Sequence, residues 1–328
     1  MNRRSFIAGT LAGAALARPA DAQTAPFAAA IALHAARGGE ALVIQRNGVV
    51  WGEHYAPAAD PYAPRDIGRA TSAFIPALVG ALVNDRLMRI DEPAAATLTE
   101  WEAHPAKSRI TVRMLLDLTC GLAGAGRMLS TPEALALEPI AEPGTAFVYD
   151  PAPTRIFLEI ARRKLAAADY PGDAAAYITA RVFDPVGCAP LIWAREPDGE
   201  LDLHTGARIS ARAWARWGEL IRRLGVWRAA QVLSSDALRD AARGSWPQPR
   251  YGFGLWLAWP SRGDPPPLAG ADVWAPSSPA PPDLVMAASA AGDRLYVLPT
   301  QGIVVARQAR DAQGWSDAAF LAALLRQR

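Results

Sequence analysis

Apolar and polar positions alternate between two periodicities along this chain, and the switch between them sets out its architecture. Ala41–Gln45 and Val49–Tyr55 are apolar runs of strand length separated by Arg46-Asn47-Gly48. Asn-Gly between two such runs is the strongest short-range hairpin signal, because both residues tolerate the left-handed backbone of a tight turn. Near the other end, Leu284–Ser289, Leu295–Leu298 and Gly302–Arg307 read as three further strands. An Ala-rich amphipathic stretch, Pro26–Arg37, precedes the first strand and is stopped by Gly38-Gly39. Ser316 and Asp317 open a last helix over Ala318–Leu325. Between the two groups of strands the period is mostly helical, over Thr71–Asp85, Val112–Leu118, Pro153–Leu165, Asp173–Val182, Ala211–Leu224 and Ser235–Ala242. The pattern predicts an α/β (α+β) protein. One antiparallel sheet of about five strands is built from both chain ends, flanked by terminal helices and interrupted by a large helical insert. The expected division is 23–66 plus 245–328 for the sheet part and 67–244 for the helical part.

Residues 1–22 stand outside this scheme. Arg3-Arg4 leads into Ser5-Phe6-Ile7, an uncharged stretch runs through Ala17, and Ala20-Asp21-Ala22 supplies a small-residue cleavage site before Gln23. A paired arginine ahead of Phe reads as a twin-arginine signal, and the apolar run is shorter than the ~20 residues a spanning helix needs. The expectation is a periplasmic protein with no transmembrane segment once the signal is cleaved. Ser261–Asp283, with Pro265-Pro266-Pro267, Pro279, Pro281 and Pro282, reads as a long surface loop.

Composition excludes more than it proposes. With 51% hydrophobic and 20% charged residues and a net charge of +2, the 328-residue chain is ordinary globular material with no basic stripe for nucleic acid. Eleven tryptophans are read as core packing. Cys120 and Cys188 cannot make a metal site by themselves, the four histidines have no ligand-like spacing, and the expectation is two buried free thiols. Neither metal nor cofactor is called for.

The chemistry is carried by short segments in a fixed order. Ile110-Thr111-Val112-Arg113-Met114-Leu115-Leu116-Asp117-Leu118-Thr119-Cys120-Gly121-Leu122 resembles I-T-x-R-x-L-L-x-x-T-S-G-L, and Pro143-Gly144-Thr145-Ala146-Phe147-Val148-Tyr149 resembles P-G-x-x-F-x-Y. Ser210–Gly218, Tyr251–Trp256 and Asp293–Pro299 match further stretches of the same set. Together these are similar to the beta-lactamase-related serine hydrolases, which include class C beta-lactamases, D-alanyl-D-alanine peptidases and esterases. The resemblance covers most of residues 40–325. It implies a catalytic Ser-x-x-Lys on a buried helix and a Tyr that helps manage the proton.

That machinery is degenerate in this sequence. In Arg69-Ala70-Thr71-Ser72-Ala73-Phe74, Arg69 occupies the Ser position and Ser72 the Lys position. No Ser-x-x-Lys exists anywhere, since the two lysines, Lys107 and Lys164, follow His104 and Ala161 by three residues. A guanidinium is neither nucleophile nor base, and Ser72 lies about 4.5 Å further along the axis than the attacking position. Tyr149 survives, but Pro151 replaces the Asn usual two residues on. The stretch Ala287–Gly292, expected to hold the third motif, offers Ser289 and no cation. His204-Thr205-Gly206 resembles that third motif in composition but precedes the helix at Ala211, far from the C-terminal strands, and is set aside as a decoy. No G-x-S-x-G is present either.

The resulting expectation is a degenerate cleft formed by Arg69, Ser72, Tyr149 and Ser289, without a confident catalytic residue. Arg69, Tyr149 and Asp150 would bind a small anionic or peptide-like ligand, with Asp150 pairing Arg69. The alternative is a hydrolase, esterase or transacylase acting on esters or amides through a rearranged centre.

Overall fold

The computed structural model describes residues 26–196, 198–258 and 271–326. The expected export signal and the first part of the proline-rich stretch therefore lie outside the described residues. A seven-stranded antiparallel sheet forms the frame, in the spatial order 49–55, 39–46, 303–309, 294–298, 285–288, 255–257, 251–252. Five of these are the expected strands. The two extra ones, Tyr251–Gly252 and Leu255–Leu257, are joined by a turn through Phe253 and Gly254, both with positive φ. They are too short to show a period in the sequence. At the other edge Asn47 and Gly48 take φ values of 52° and 79°, the left-handed pair that a two-residue hairpin turn requires.

The central strands are buried on both faces, and that explains why they read as continuous apolar runs. Ala41, Val43, Val285, Ala287, Leu295, Val297, Val304 and Ala306 face one core, shared with the helical insert. Leu42, Ile44, Met286, Ala288, Tyr296, Leu298, Ile303 and Val305 face a second core, shared with the terminal helices Ala28–Ala36 and Asp317–Leu325. The helix Ala211–Arg222 lies on the first face, its Trp214 and Trp217 fully buried. Trp101 is buried as well, whereas Trp51 and Trp246 are exposed, so the core reading holds for only some of the tryptophans. Cys120 and Cys188 are buried free thiols, each raised to about 12 by burial.

Two expected helices change character. The predicted Thr71–Asp85 is a 3-10 segment, Gly68–Phe74, followed by an α-helix over Ile75–Asn84. Pro76 has no N–H to donate back to Ser72, so the α-helical ladder cannot extend upstream through it. Asp173–Val182 likewise divides into α-helix over Ala174–Ile178 and a π-helical turn over Thr179–Phe183. None of the described helices is long and apolar enough to cross a membrane.

One carboxylate joins the C-terminal helix to the sheet. Asp317, fully buried, accepts from Arg294 Nε at 2.9 Å, from Trp315 Nε1 at 3.0 Å and from the Tyr296 hydroxyl. Arg294 is itself fully buried, so removal of the carboxylate leaves a charge in an apolar layer. Asp317→Ala is expected to cost about 3–5 kcal/mol, read from the denaturant midpoint at constant m-value. A loss below about 1 kcal/mol would mean that solvent already reaches this pair.

Candidate functional site

Three segments meet where the C-terminal end of strand 285–288 abuts the start of the 3-10 helix. Ser289 Cβ lies 3.5 Å from the position a side chain on Gly68 would begin to fill. Ser289 is 2% exposed and donates to Asp293 Oδ2 at 2.5 Å. It closes the turn at 289–293 rather than presenting a hydroxyl to the cleft. Ser72 is equally committed. Its hydroxyl lies 3.0 Å from the carbonyl of Arg69 and 3.2 Å from that of Gly254, sharing one proton between them, and the residue is 8% exposed. Gly254, at φ 88°, admits no side chain, since a Cβ there would fall 2.0 Å from Ser72 O. The strand turn is thus pressed against the helix at the position where the resemblance calls for lysine.

Arg69 and Tyr149 are brought together as expected. The guanidinium carbon stands 5.3 Å from the centre of the Tyr149 ring, an arrangement in which the ring face attracts the cation. The expected partnership with Asp150 does not form. Asp150 is 4% exposed, and its two oxygens accept from the backbone N–H groups of Ala152, at 2.9 Å, and Gly126, at 2.8 Å. It anchors the start of the helix Ala152–Ala167 and ties the loop around Gly126 to it. No acceptor among the described residues takes a hydrogen bond or ion pair from the Arg69 guanidinium. Its donors remain open to a ligand.

The sequence reading missed the setting of Tyr149. Its ring packs edge-on to Tyr251 at 6.0 Å and tilted against Trp256 at 5.5 Å, and Trp256 in turn meets Trp274 at 6.1 Å. The wall behind Arg69 is aromatic, assembled from segments more than a hundred residues apart. Tyr251-Gly252-Phe253-Gly254-Leu255-Trp256 was the available signal, legible as a matching stretch but not as a wall.

His204 does not lie on a cleft strand and is no third motif, as expected from its chain position, but it lies within reach of the Arg69 charge. It is 8% exposed, and its Nε2 is buried without a hydrogen-bond partner. Burial, and then the charge of Arg69, hold its imidazole down to about 4, against the opposing pull of Asp202 and Asp150. Asp202 accepts from the backbone N–H of His204 and of Thr205 and from the Thr205 hydroxyl, at 2.9, 2.8 and 2.7 Å, which fixes the turn that delivers the ring.

A frame of this topology, carrying a retained tyrosine opposite a buried helix start, defines a serine-hydrolase shell of the penicillin-recognising kind. The sequence matches the Beta-lactamase family model over residues 16–327, and the chain belongs to that family. Among curated proteins none matches it. Its fold is similar to a family VIII carboxylesterase, with 14% identity, TM-score 0.69, and 92% of this chain and 97% of that one covered. A penicillin-binding protein homolog from Caulobacter crescentus gives 15%, 0.66, 91% and 95%. A beta-lactamase from Mycobacterium bovis gives 16%, 0.62, 89% and 94%. At these identities the likeness is one of fold.

The depressed imidazole makes an acid-stability prediction. As pH falls, the unfolded chain protonates His204 near its ordinary 6.5, while the folded protein resists until about 4. Protons are therefore bound more by the unfolded state in that interval, and stability declines as pH drops from about 6.5 to about 4, then levels off. His204→Gln should remove that part of the acid slope, on the order of 3 kcal/mol by pH 4, in denaturation curves compared pH by pH with wild type. Parallel slopes would mean that the ring is solvated in the native state.

Proposed function

We propose that this beta-lactamase-family protein has lost acyl transfer and binds a small anionic or peptide-like ligand through the old cleft. It would work in the periplasm after twin-arginine export. The observation that carries the reading is Arg69: a half-buried guanidinium at the nucleophile position, on the face of Tyr149, with no acceptor among the described residues. A cation held in this way supplies up to five N–H donors in a fork that matches a carboxylate. The surrounding hydroxyls support the same reading, since Ser72 and Ser289 are both spent on internal hydrogen bonds. Loss of the nucleophile from a serine hydrolase removes about 10⁶ in turnover, so any rate left by the remaining donors is small.

One observation favours the alternative of a rearranged hydrolytic centre. Thr154 and the unpartnered His204 line the same small cavity, and a neutral imidazole beside a hydroxyl is the general arrangement of an activated nucleophile. Thr154, however, belongs to the helix after Asp150 and not to the 3-10 segment that the resemblance makes catalytic.

Active-site labelling separates the two readings. The purified protein without residues 1–22 should take no stoichiometric label from a fluorophosphonate or a penicillin. It should hydrolyse short-chain nitrophenyl esters no faster than a surface-mutant control. The double variant Arg69→Ser with Ser72→Lys rebuilds Ser-x-x-Lys beside Tyr149 and should acquire weak labelling, with its circular dichroism unchanged from wild type. Rapid stoichiometric labelling of the wild type, mapped by mass spectrometry to Ser72 or Thr154, would overturn the proposal in favour of the hydrolase.

A further inference from the structure

The end of strand 285–288 that points away from the cleft opens on a cavity with no part in the site described above. It holds about 320 Å³, within the range of small-molecule sites and far beyond the water-sized voids that close-packed interiors leave. Leu257, Leu284 and Val285 reach it from the sheet, Ile221 and Leu224 from around the end of the helix Ala211–Arg222, and Leu238 from the helix Ser235–Ala241. All of these but Leu224 are buried, so the floor is an apolar surface continuous with the core. Val285 and Ser289 lie about 13 Å apart along one extended run, at ~3.3 Å per residue. None of Arg69, Ser72, Tyr149 or Ser289 lines the cavity.

Its rim is charged. Arg222, Arg243 and Asp283 line the same cavity. Arg222 is held by Glu219 through Nε and Nη2, each at 2.7 Å, and its charge offsets the negative pole of the helix it ends. Asp283 accepts from the N–H and the hydroxyl of Thr300, at 2.7 and 2.6 Å. Arg243 differs. Its guanidinium makes no hydrogen bond among the described residues, and its ion contact there is to Asp240 at 3.7 Å. Asp240 is already taken at 3.0 Å by Arg113. The charge left to be matched at this rim is therefore positive.

We propose that this cavity binds a small amphipathic carboxylate, its alkyl chain on the apolar floor and its head group on Arg243. A guanidinium offers paired N–H donors that match a carboxylate, and Arg222, whose Nη1 is uncommitted among the described residues, is a second donor. The volume sets the length. At the ~30 Å³ that a water occupies in the liquid, the cavity takes on the order of ten non-hydrogen atoms, a carboxylate on a chain of about eight carbons. Head and tail are both met by residues lining one cavity, so no second site is needed to seat the ligand. The proposal is independent of the reading of Arg69, and either can fail without the other.

The test is calorimetry on the full mature chain with octanoate, butanoate, octylamine and 1-octanol. Octanoate should bind at least tenfold more tightly than any of the others, because butanoate buries less chain and neither octylamine nor 1-octanol matches the cation. Arg243→Gln should bring octanoate down to the level of 1-octanol. Thermal stability should not change, since the Arg243 side chain is 74% exposed and holds nothing in place. Ala242→Phe, at an exposed position that lines the cavity, should fill it and abolish octanoate binding while the circular dichroism stays that of wild type. Arg69→Gln should leave octanoate affinity as it was. Loss of octanoate binding in Arg69→Gln but not in Ala242→Phe would put the anion in the cleft and overturn this proposal alone. Butanoate as tight as octanoate would mean that the apolar floor is unused, and octylamine as tight would reverse the charge argument; either result overturns it. So would an octanoate affinity that Arg243→Gln leaves intact, or no octanoate binding at all.

Discussion

A sheet covered on both faces must place every second side chain of each central strand in one core and the remainder in the other. Everything else here follows from that constraint. The strands at 39–46, 285–288, 294–298 and 303–309 meet it with runs of Val, Ile, Leu and Ala in which no parity is polar. Some of the polar groups that do enter are paired across layers, as Arg294 and Tyr296 are with Asp317. The end of strand 285–288 then falls against Gly68 and the turn through Gly254 against Ser72. The floor of the cleft is thus set by backbone packing, independently of the side chains at 69 and 72.

This independence accounts for a family fold that accommodates Arg69 and Ser72 at the positions where the resemblance calls for serine and lysine. The contacts that position residues 68–74 are Gly254 against the Ser72 carbonyl, the Trp217 indole donating to the Ala73 carbonyl at 3.2 Å, and the Thr71 hydroxyl accepting from the N–H of Ala207 at 3.1 Å. None of them needs a serine at 69 or a lysine at 72. An arginine at 69 costs little when its charge can rest on an aromatic face and reach solvent. The seven-residue 3-10 segment also spares it the opposition of a full helix dipole, since the α-helix proper begins only at Ile75.

Much of the frame was legible in the sequence, because long apolar runs and an Asn-Gly turn are local signals. Thus the hairpin 39–55 and the three C-terminal strands appear close to their expected bounds. The meeting of Arg69 and Tyr149 was legible through the ordered motifs. What escaped was direction and convergence. Asp150 follows Tyr149 directly, but neighbours in an extended segment point to different sides, and an Asp before Pro151 and Pro153 is better read as the cap of a proline-started helix. His204 was dismissed on chain position alone. Its position within reach of the Arg69 charge depends on the turn held by Asp202 and on the short strand Ala207–Ile209 that follows, which bonds to Arg65–Asp66 just before the 3-10 helix. Two- and three-residue strands leave no period to detect.

The central pairing of Gly39–Arg46 with Ile303–Ala309 joins segments from either side of the helical insert. On a ribosome this has a temporal meaning. The hairpin 39–55 emerges with one side of strand 39–46 unmatched, and the partner of that side is synthesised only after the helical insert. Contacts so distant in sequence are slow to form and leave strand edges open in the interval. Until strand 303–309 is made, that edge stays open to pairing with another chain. The floor of the cleft is assembled only once the strands after the helical insert have been made.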